Sequence, residues 1–289
     1  MKTIVLFCKS YRNDLLRAKR LAESVKRFNR DGIPFYLSVP RSDLPLFRKE
    51  LAGIDELTLL VDEEILSANQ LHTESLVGSM PGNHLQQVVK SEFWRLGVCR
   101  NYLMIDSDSY FIRDFGVNDF MYDDAIPYTV MHEGKELLGF AARNGLAKIR
   151  RNFIKDRSTA QKYFERPGRI YDFGPTPIIC NVEVWRMLAD GYAASNQLSF
   201  AEMITMFPNE MLWYGESLLY YKPIPLIPVE PLFKVYHYKE QYDESVALKE
   251  TEKILAENYL GIITQSNWDK SLDTHPRKSR SWKTLWLKK

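Results

Sequence analysis

Two aspartates, Asp106 and Asp108, stand directly after an apolar run in the stretch YLMIDSDSYFIRDF (102–115). Four apolar residues without alternation predict a buried strand, whose carboxyl end would carry both carboxylates. Ligands of open α/β sheets bind at such ends. One carboxylate could hold Mg²⁺ or Mn²⁺ while the other contacts ribose or a metal-bound water. The alternative is a solvated turn, because Asp and Ser are also common turn residues.

The segments before this motif alternate between strand and helix. The predicted strands are 3–8, 35–39 and 57–61, and the predicted helices are 13–28 and 42–51. This pattern predicts a parallel, doubly wound sheet with right-handed crossovers. Residues 63–82 are predicted to be a loop, and a helix over 85–96 leads into the Asp106 strand. Lys90 on that helix is either a solvated surface charge or a cation that faces the site.

The second half of the chain has weaker patterns. They predict a strand over 127–131, an exposed helix over 140–153, a loop rich in Gly and Pro over 172–177, a strand over 178–180 and a helix over 181–188. Another helix begins after Pro208. Its first residue, Glu210, either caps the positive end of that helix or does chemistry.

Composition excludes several classes of protein. A hydrophobic fraction of 45% and a charged fraction of 26% are typical of a globular chain. Three isolated cysteines, Cys8, Cys99 and Cys180, argue against a disulfide framework or a zinc site and fit a reducing compartment. No apolar run approaches the roughly 18 residues of a spanning helix, and no signal peptide is recognisable. We therefore expect a cytoplasmic protein.

Several motifs together resemble the GT-A glycosyltransferases. They are Lys9-Ser10-Tyr11 after the first strand, the helix with Gln87 and Lys90, the strand that ends in Asp106-Ser107-Asp108, and VYHYK at 235–239. The chain is more narrowly similar to a family of uncharacterised bacterial glycosyltransferase-like proteins. The matching segments are Lys9-Ser10-Tyr11, NEMLWYG at 209–215 and QSNW at 265–268, with Asn209 where that family has Ser. The resemblance covers about residues 3–268.

The resemblance implies an α/β, GT-A-like (Rossmann-like) fold with a mostly parallel central sheet flanked by helices. Residues 1–270 would form a single domain, with a nucleotide-sugar half (1–125), a smaller acceptor half (126–270) and then a basic tail (271–289). The implied activity is transfer of a sugar, with a UDP-sugar as the favoured donor, to a glycan or lipid-linked acceptor in bacterial surface polysaccharide synthesis. A Mn²⁺ or Mg²⁺ ion would neutralise the departing diphosphate.

The resemblance also implies roles for particular residues. Asp108 would be the main metal ligand, Asp106 would bind ribose or a metal-bound water, and His237 would be a remote metal ligand. The implied nucleotide-sugar contacts are Ser10, Tyr11, Arg12, Gln87, Lys90, Asp106, Ser107 and Lys239. The implied acceptor contacts are Thr176, Pro177, Asn181, Trp213 and Tyr214. For His237 the alternative is a strand histidine held between aromatic neighbours, and for the 172–177 loop it is a structural turn.

Glu210 is the first candidate for the general base that deprotonates the acceptor hydroxyl in an inverting enzyme, and Glu216 is the second. A helix entry would point Glu210 into the cleft. A retaining enzyme would need no such base, and Glu210 would then be a cap.

Positive charge is concentrated at the two ends of the chain. Residues 1–50 hold twelve Lys or Arg against five acids, and the last fifteen residues hold six against none. The tail (276–289) also contains Trp282 and Trp286, a combination that suits an anionic membrane surface. The alternatives are a solvated terminus or, ranked last, a nucleic-acid contact, so no nucleic acid is expected as a partner.

Two other classes of protein remain as alternatives. A phosphatase of the haloacid dehalogenase type also places two aspartates after an apolar strand and would use Asp106 as nucleophile. It would have Thr or Val at position 110, where this chain has Tyr110, and would carry the motif near its start. The other alternative is a non-catalytic protein that binds a sugar nucleotide or a membrane surface.

Overall fold

The computed structural model describes residues 2–54, 56–69, 75, 78–175 and 177–274. The described strands are β1 (Lys2–Lys9), β2 (Phe35–Val39), β3 (Leu57–Val61), β4 (Cys99–Asp106), β5 (Ser109–Phe111), β6 (Thr129–Val130), β7 (Ile178–Asn181), β8 (Pro228–Val229), β9 (Phe233–Tyr236) and β10 (Gly261–Thr264). The central sheet has five strands in the order β3-β2-β1-β4-β7. Smaller sheets have the orders β5-β10-β9 and β6-β8.

The central sheet is mostly parallel, as predicted. Strands β1 to β4 run in one direction, so their carboxyl ends meet at one edge of the sheet. Strand β7 pairs antiparallel with β4, and Met104 lies opposite Ile178. The strand order also reverses beside β1, since β2 and β4 lie on its two sides. Such a reversal opens a crevice at the carboxyl edge, where α/β folds bind their ligands.

Helices cover both faces of the sheet. They are α1 (Leu15–Phe28), α2 (Leu44–Glu50), α3 (Asp62–Ser67), α4 (Gly82–Glu92), α5 (Lys135–Arg143), α6 (Ala147–Tyr163), α7 (Val182–Met187), α8 (Phe200–Met206), α9 (Glu210–Tyr221), α10 (Lys239–Ala247) and α11 (Glu252–Leu255). Helix α3 lies where a loop was predicted. The helix predicted over 140–153 is two helices, separated at Gly145, whose φ of +65° suits glycine.

Apolar and polar residues do not alternate along β4, because both faces of this strand are covered. Tyr102 and Met104 are buried on one face, against α4, α7 and α9, while Leu103 and Ile105 are buried on the other, against α1 and α2. A strand covered on both faces needs apolar residues at every position. The same packing makes β4 a rigid support for the two aspartates that follow it.

A segment near the end of the described chain, the C-terminal strap (Gln265–Thr274), packs back over the start of α1. Trp268 Nε1 donates to Tyr236 O at 2.8 Å, and Thr274 Oγ1 donates to Arg12 O at 2.7 Å. The fully buried Arg17 forms an ion pair with Asp273 at 2.6 Å. The predicted basic tail over 276–289 lies outside the described residues. Among the helices described, none is long and apolar enough to cross a bilayer.

Candidate active site

The carboxyl ends of β1 and β4 place Lys9 beside Asp106, because these two residues are paired in register. Lys9 also pairs with Ser38 on its other side. The Lys9 ammonium lies 3.4 Å from an Asp62 carboxylate oxygen, which follows β3, and the Ser38 hydroxyl donates to the other oxygen of Asp62. Three neighbouring parallel strands therefore deliver charged or polar side chains to the same edge.

Lys90 joins two carboxylates at this edge. Its ammonium lies 2.5 Å from Asp106 Oδ1 and 3.0 Å from Glu210 Oε1. The Lys90 and Glu210 side chains are only 4% and 5% exposed, whereas that of Asp106 is 37% exposed. Burial disfavours the ammonium form, but the two carboxylates outweigh it and raise the pKa of Lys90 above its usual value. Lys90 is therefore a fixed positive charge at the end of β4.

Local sequence explains how Lys90 and Glu210 reach one another. Helix α4 buries Val88 and Val89 against the sheet, and Lys90 follows them on the side of the carboxyl edge. Glu210 is the first residue of α9, where the Asn209 side chain accepts the Leu212 N–H at 2.9 Å. The start of α9 is thereby fixed, and Glu210 lies beside Lys90 near the end of β4.

Asp108 is held by the C-terminal strap and by β10. Its Oδ2 accepts the Ser266 N–H at 2.9 Å, and its backbone oxygen accepts the Thr264 N–H at 3.2 Å. Burial and then the negative charge of Asp106 raise the pKa of Asp108 to about 7. The Asp106 and Asp108 carboxylates thus repel each other at a partly desolvated site. A bound cation would relieve that repulsion.

The metal ligands implied by the resemblance are only partly brought together. Asp106 and Asp108 fit a Mg²⁺ or Mn²⁺ ion, since such ions take one or two carboxylates and complete their shell with phosphate and water oxygens. His237 follows β9 and lines a separate cavity beside His132 and Asp172. Within the described ranges, no three His, Cys, Asp or Glu side chains form a group able to hold a metal. The three-ligand set is therefore not assembled here.

The loop after β1 contains the predicted nucleotide contacts Ser10, Tyr11 and Arg12. Ser10 is 1% exposed, and its hydroxyl has no hydrogen-bond partner within the described residues. Arg12 is held by Asp43 through Nε at 2.8 Å and Nη2 at 2.7 Å. Gln87, one turn before Lys90, has a buried Oε1 without a partner in the same part of the chain. Unsatisfied buried polar atoms are uncommon, and the Ser10 hydroxyl directly follows β1 at the carboxyl edge of the sheet.

Several predicted contacts have other roles in the structure. Glu216 is fully buried and forms a two-point ion pair with Arg166, at 2.6 and 2.9 Å, so its carboxylate is already committed. Lys239 lies on the surface and pairs with Asp243 at 2.6 Å, not with a group of the site. Ser107 is buried between the two aspartates. The prediction for Thr176 falls outside the described residues.

The predicted acceptor contacts are parts of the core, which corrects their assignment. Trp213 and Tyr214 are 1% and 3% exposed, and Trp213 Nε1 donates to Phe207 O at 2.9 Å. Asn181 is 2% exposed and bonds Asn101 and the start of α7. Pro177 is also buried. All four side chains are therefore packed inside the protein and have almost no surface exposed to an acceptor.

Sequence reasoning missed Asp62 and Arg17. Asp62 directly follows β3, so its position at the carboxyl edge could have been inferred from the same rule that identified Asp106. Arg17 lies on α1 and pairs with Asp14 and Asp273. No sequence pattern links residues 17 and 273, because a buried ion pair across the whole chain leaves no periodic signal.

The mostly parallel sheet with its flanking helices is similar to the fold of a solved GT-A-type glycosyltransferase. Mouse xyloside xylosyltransferase 1 in its apo form is similar with a TM-score of 0.50 and 8% sequence identity, over 92% of this chain and 99% of that one. The galactosyltransferase LgtC, in complex with donor and acceptor sugar analogues, has a TM-score of 0.46 and 10% identity, over 89% and 86%. At such low identity, the likeness to the xylosyltransferase shows the fold alone.

The bifunctional glycosyltransferase WbbM, as an apo structure, has a TM-score of 0.48 and 10% identity, over 92% of this chain and 46% of that one. No curated protein is significantly similar in sequence. The chain belongs to the family described as "Family of unknown function (DUF6492)", whose model matches residues 3–272.

Proposed function

We propose that this protein is a glycosyltransferase that moves a sugar from a nucleotide-sugar donor, with a UDP-sugar favoured, to a glycan acceptor. The observation that carries the proposal is the buried Lys90 ammonium, which joins Asp106 at the end of β4 to Glu210 at the start of α9. It creates a charged, partly desolvated site at the crevice where α/β sheets bind nucleotides. The fold shared with a xylosyltransferase supports the same activity.

The donor nucleotide would lie over the loop after β1. Ser10 offers an unsatisfied hydroxyl and Tyr11 an aromatic ring. Asp106 and Asp108 would hold a Mg²⁺ or Mn²⁺ ion, which supplies Lewis-acid stabilisation of the leaving diphosphate when bound. Lys90 stays protonated between its two carboxylate partners and would hold Asp106 in place beside that ion.

Glu210 is our candidate for the base that takes the proton of the acceptor hydroxyl. It is held by Lys90 at 3.0 Å and lies at the amino end of α9. A positioned base contributes about 10²- to 10⁴-fold to a rate. Glu210→Gln should therefore leave donor affinity within about twofold while lowering turnover at least about 100-fold. Unchanged turnover would make Glu210 only a partner that holds Lys90.

The decisive experiment is a calorimetric titration of the protein with UDP, GDP, CMP and ADP, each with and without Mn²⁺. Binding of one nucleotide, strengthened by Mn²⁺, is the expected result and identifies the donor class. Asp108→Ala should lose the Mn²⁺-dependent part of that binding and keep its circular dichroism spectrum. If all four nucleotides fail to bind the folded protein, or if Asp108→Ala still binds with the same Mn²⁺ dependence, the proposed donor site is wrong.

A further inference from the structure

A second feature, which we call the side cavity, is lined mainly by residues 131–137, by Tyr171, Asp172 and Pro175, and by residues around β9. Its volume is about 420 Å³, within the range of small-ligand sites. The donor site described above uses none of its lining residues. The side cavity is therefore distinct from the donor site.

Two connections place the side cavity next to the donor site. Asp108 bonds Thr264 of β10, and Thr264 is paired with Tyr236 of β9, directly before His237. Two strand spacings amount to roughly 10 Å, so the backbones of Asp108 and Tyr236 lie about that far apart. On the other side, Gly174 packs against Met211, the neighbour of Glu210, so closely that an added Cβ would lie 2.8 Å from the sulfur.

The charged groups around the side cavity are largely neutralised by each other. Asp172 pairs with Arg157 at 2.7 Å. Glu133 pairs with Arg169 and, at 3.6 Å, with Lys135. Glu136 pairs with Lys234. Glu230, which is exposed, has no ion-pair partner among the described residues. A strongly charged occupant would have to break one of these pairs, whereas a neutral occupant would not.

Polar atoms and rings in the side cavity suit a molecule that carries hydroxyl groups and also has an apolar face. Ionised carboxylates have spare lone pairs even when they are paired, and these accept hydrogen bonds from hydroxyls. The rings of Phe153, Tyr171 and Tyr259 offer apolar surface. A mostly apolar wall with a few oriented polar groups is typical of a small-molecule site. A sugar ring combines both properties.

The two histidines of the side cavity differ in what they can offer a ligand. His132 uses both ring nitrogens, since Nε2 bonds Gly174 O at 2.6 Å and Nδ1 accepts the Gly134 N–H at 3.0 Å. The His237 ring has no hydrogen bond to any described residue, while its backbone N–H donates to Gln241 at 2.8 Å. Gln241 thus fixes the position of His237 and leaves its imidazole available.

We infer that the side cavity is the acceptor site and that it takes an uncharged sugar unit, with the His237 imidazole hydrogen-bonded to one of its hydroxyls. This inference rests on the proposed glycosyltransferase function, because it needs a donor bound nearby at Asp106 and Asp108. It replaces the acceptor contacts expected from the sequence, which are buried in the core. The part of the acceptor that the side cavity recognises is its sugar, not a phosphate or a lipid.

The test uses saturation-transfer NMR with the methyl glycosides of glucose, galactose and mannose, and with glucose 6-phosphate and glucuronate as charged counterparts. At least one neutral glycoside should bind more tightly than both charged sugars. Leu137→Trp, which places a large ring in the side cavity, should weaken that binding at least tenfold. The matched control Leu138→Trp, one position along α5 and outside the cavity lining, should change it less than twofold.

A second variant, His237→Asn, should lose about tenfold in glycoside affinity and keep Mn²⁺-dependent nucleotide binding. Both tryptophan variants are first checked by thermal melting, and His237→Asn decides the question if Leu137→Trp fails to fold. Preference for charged sugars, equal losses in the two tryptophan variants, or no glycoside binding by a protein that binds nucleotide would each overturn the inference and leave the donor site intact. Failure of nucleotide binding alone would instead overturn the proposed function.

Discussion

Lys90 holds two carboxylates, Asp106 and Glu210, that lie far apart in the sequence. Lys90 itself precedes Glu210 by 120 positions. A buried ammonium with two partners is stable only as a set, because loss of one member leaves another charge desolvated and unpaired. Asp108 is in the opposite situation, since burial and a like charge make its ionised form costly. Substitutions at Lys90 and at Asp108 should therefore change the free energy of unfolding in opposite directions.

Lys90→Met should lower the free energy of unfolding by about 3–5 kcal/mol, because Asp106 and Glu210 lose their cation. Urea denaturation monitored by circular dichroism measures this change. Adding Glu210→Gln to Lys90→Met should recover part of the loss, since it removes one unpaired charge. The control is Lys239→Met, which breaks an exposed pair and should cost less than about 1 kcal/mol. Strictly additive effects in the double variant would show that the two residues are not coupled.

Asp108→Asn should stabilise the protein at high pH. The folded state raises the pKa of Asp108 from 3.8 to about 7, so it binds this proton more tightly than the unfolded chain does. The contribution of Asp108 to stability therefore falls as pH rises from about 4 to about 7 and is constant above that range. At pH 8 and without divalent metal, the variant should be more stable by about 2 kcal/mol, allowing for partial exposure.

Thermal melts of parent and Asp108→Asn at pH 4.5, 6 and 8 test this prediction, and the gap between them should widen with pH. A gap that is the same at all three values would mean that the Asp108 carboxyl is not desolvated. Added Mn²⁺ should narrow the gap at pH 8, because a bound cation stabilises only the ionised side chain.

At the scale of elements, the C-terminal strap is held by Arg17, which contacts Asp14, Asp273 and the backbone oxygen of Asp269. Arg17→Met should release the strap, and with it the Ser266 N–H that binds Asp108. Amide hydrogen exchange of residues 266–274 should rise by at least about tenfold, and the free energy of unfolding should fall by about 3 kcal/mol or more.

Arg30→Met is the matched control for Arg17→Met, because it breaks the Arg30–Asp114 pair, in which both side chains are more than half exposed. We expect little change in the free energy of unfolding and no change in amide exchange of the strap. Equal effects of the two substitutions would mean that Arg17 contributes only as an ordinary surface charge.

Much of the element order could be predicted from the sequence. Strands β2 and β3 have the predicted ends, and β4 was recognisable because a strand covered on both faces is apolar throughout. Helix α3 was missed because it has only six residues, too few for a periodic signal. The resemblance implied that Trp213 and Tyr214 contact an acceptor. A helix buried on nearly all sides has no polar face, so its orientation could not be inferred.

The meeting of Asp106, Lys90 and Glu210 was predictable only in part. A cation before the Asp106 strand and an acid at a helix start were both visible in the sequence. Their contact depends on how α9 packs against α4, and that is set by tertiary packing, which sequence patterns do not encode. The side cavity was not predicted for the same reason, since its wall combines a loop after β6, a loop before β7 and the end of β9.

For the whole molecule, the two halves predicted from the sequence share one sheet. β4 from the first half pairs with β7 from the second, and one buried cluster contains Phe7 and Phe93 together with Trp185 and Trp213. We therefore expect a single cooperative unfolding transition in differential scanning calorimetry, with equal calorimetric and van't Hoff enthalpies. Two resolved transitions would contradict this and divide residues 1–270 into separate folding units.

The ion pair between Arg17 and the C-terminal strap also has a consequence during synthesis. Arg17 and Asp269 are 252 positions apart, and a ribosome that adds about 5–20 residues per second needs roughly 13–50 seconds to cover that distance. For that time, α1 exists without the segment that holds Asp108 and the loop at Arg12. The emerging chain can build its central strands early, but the proposed donor site is completed only after the strap has left the ribosome.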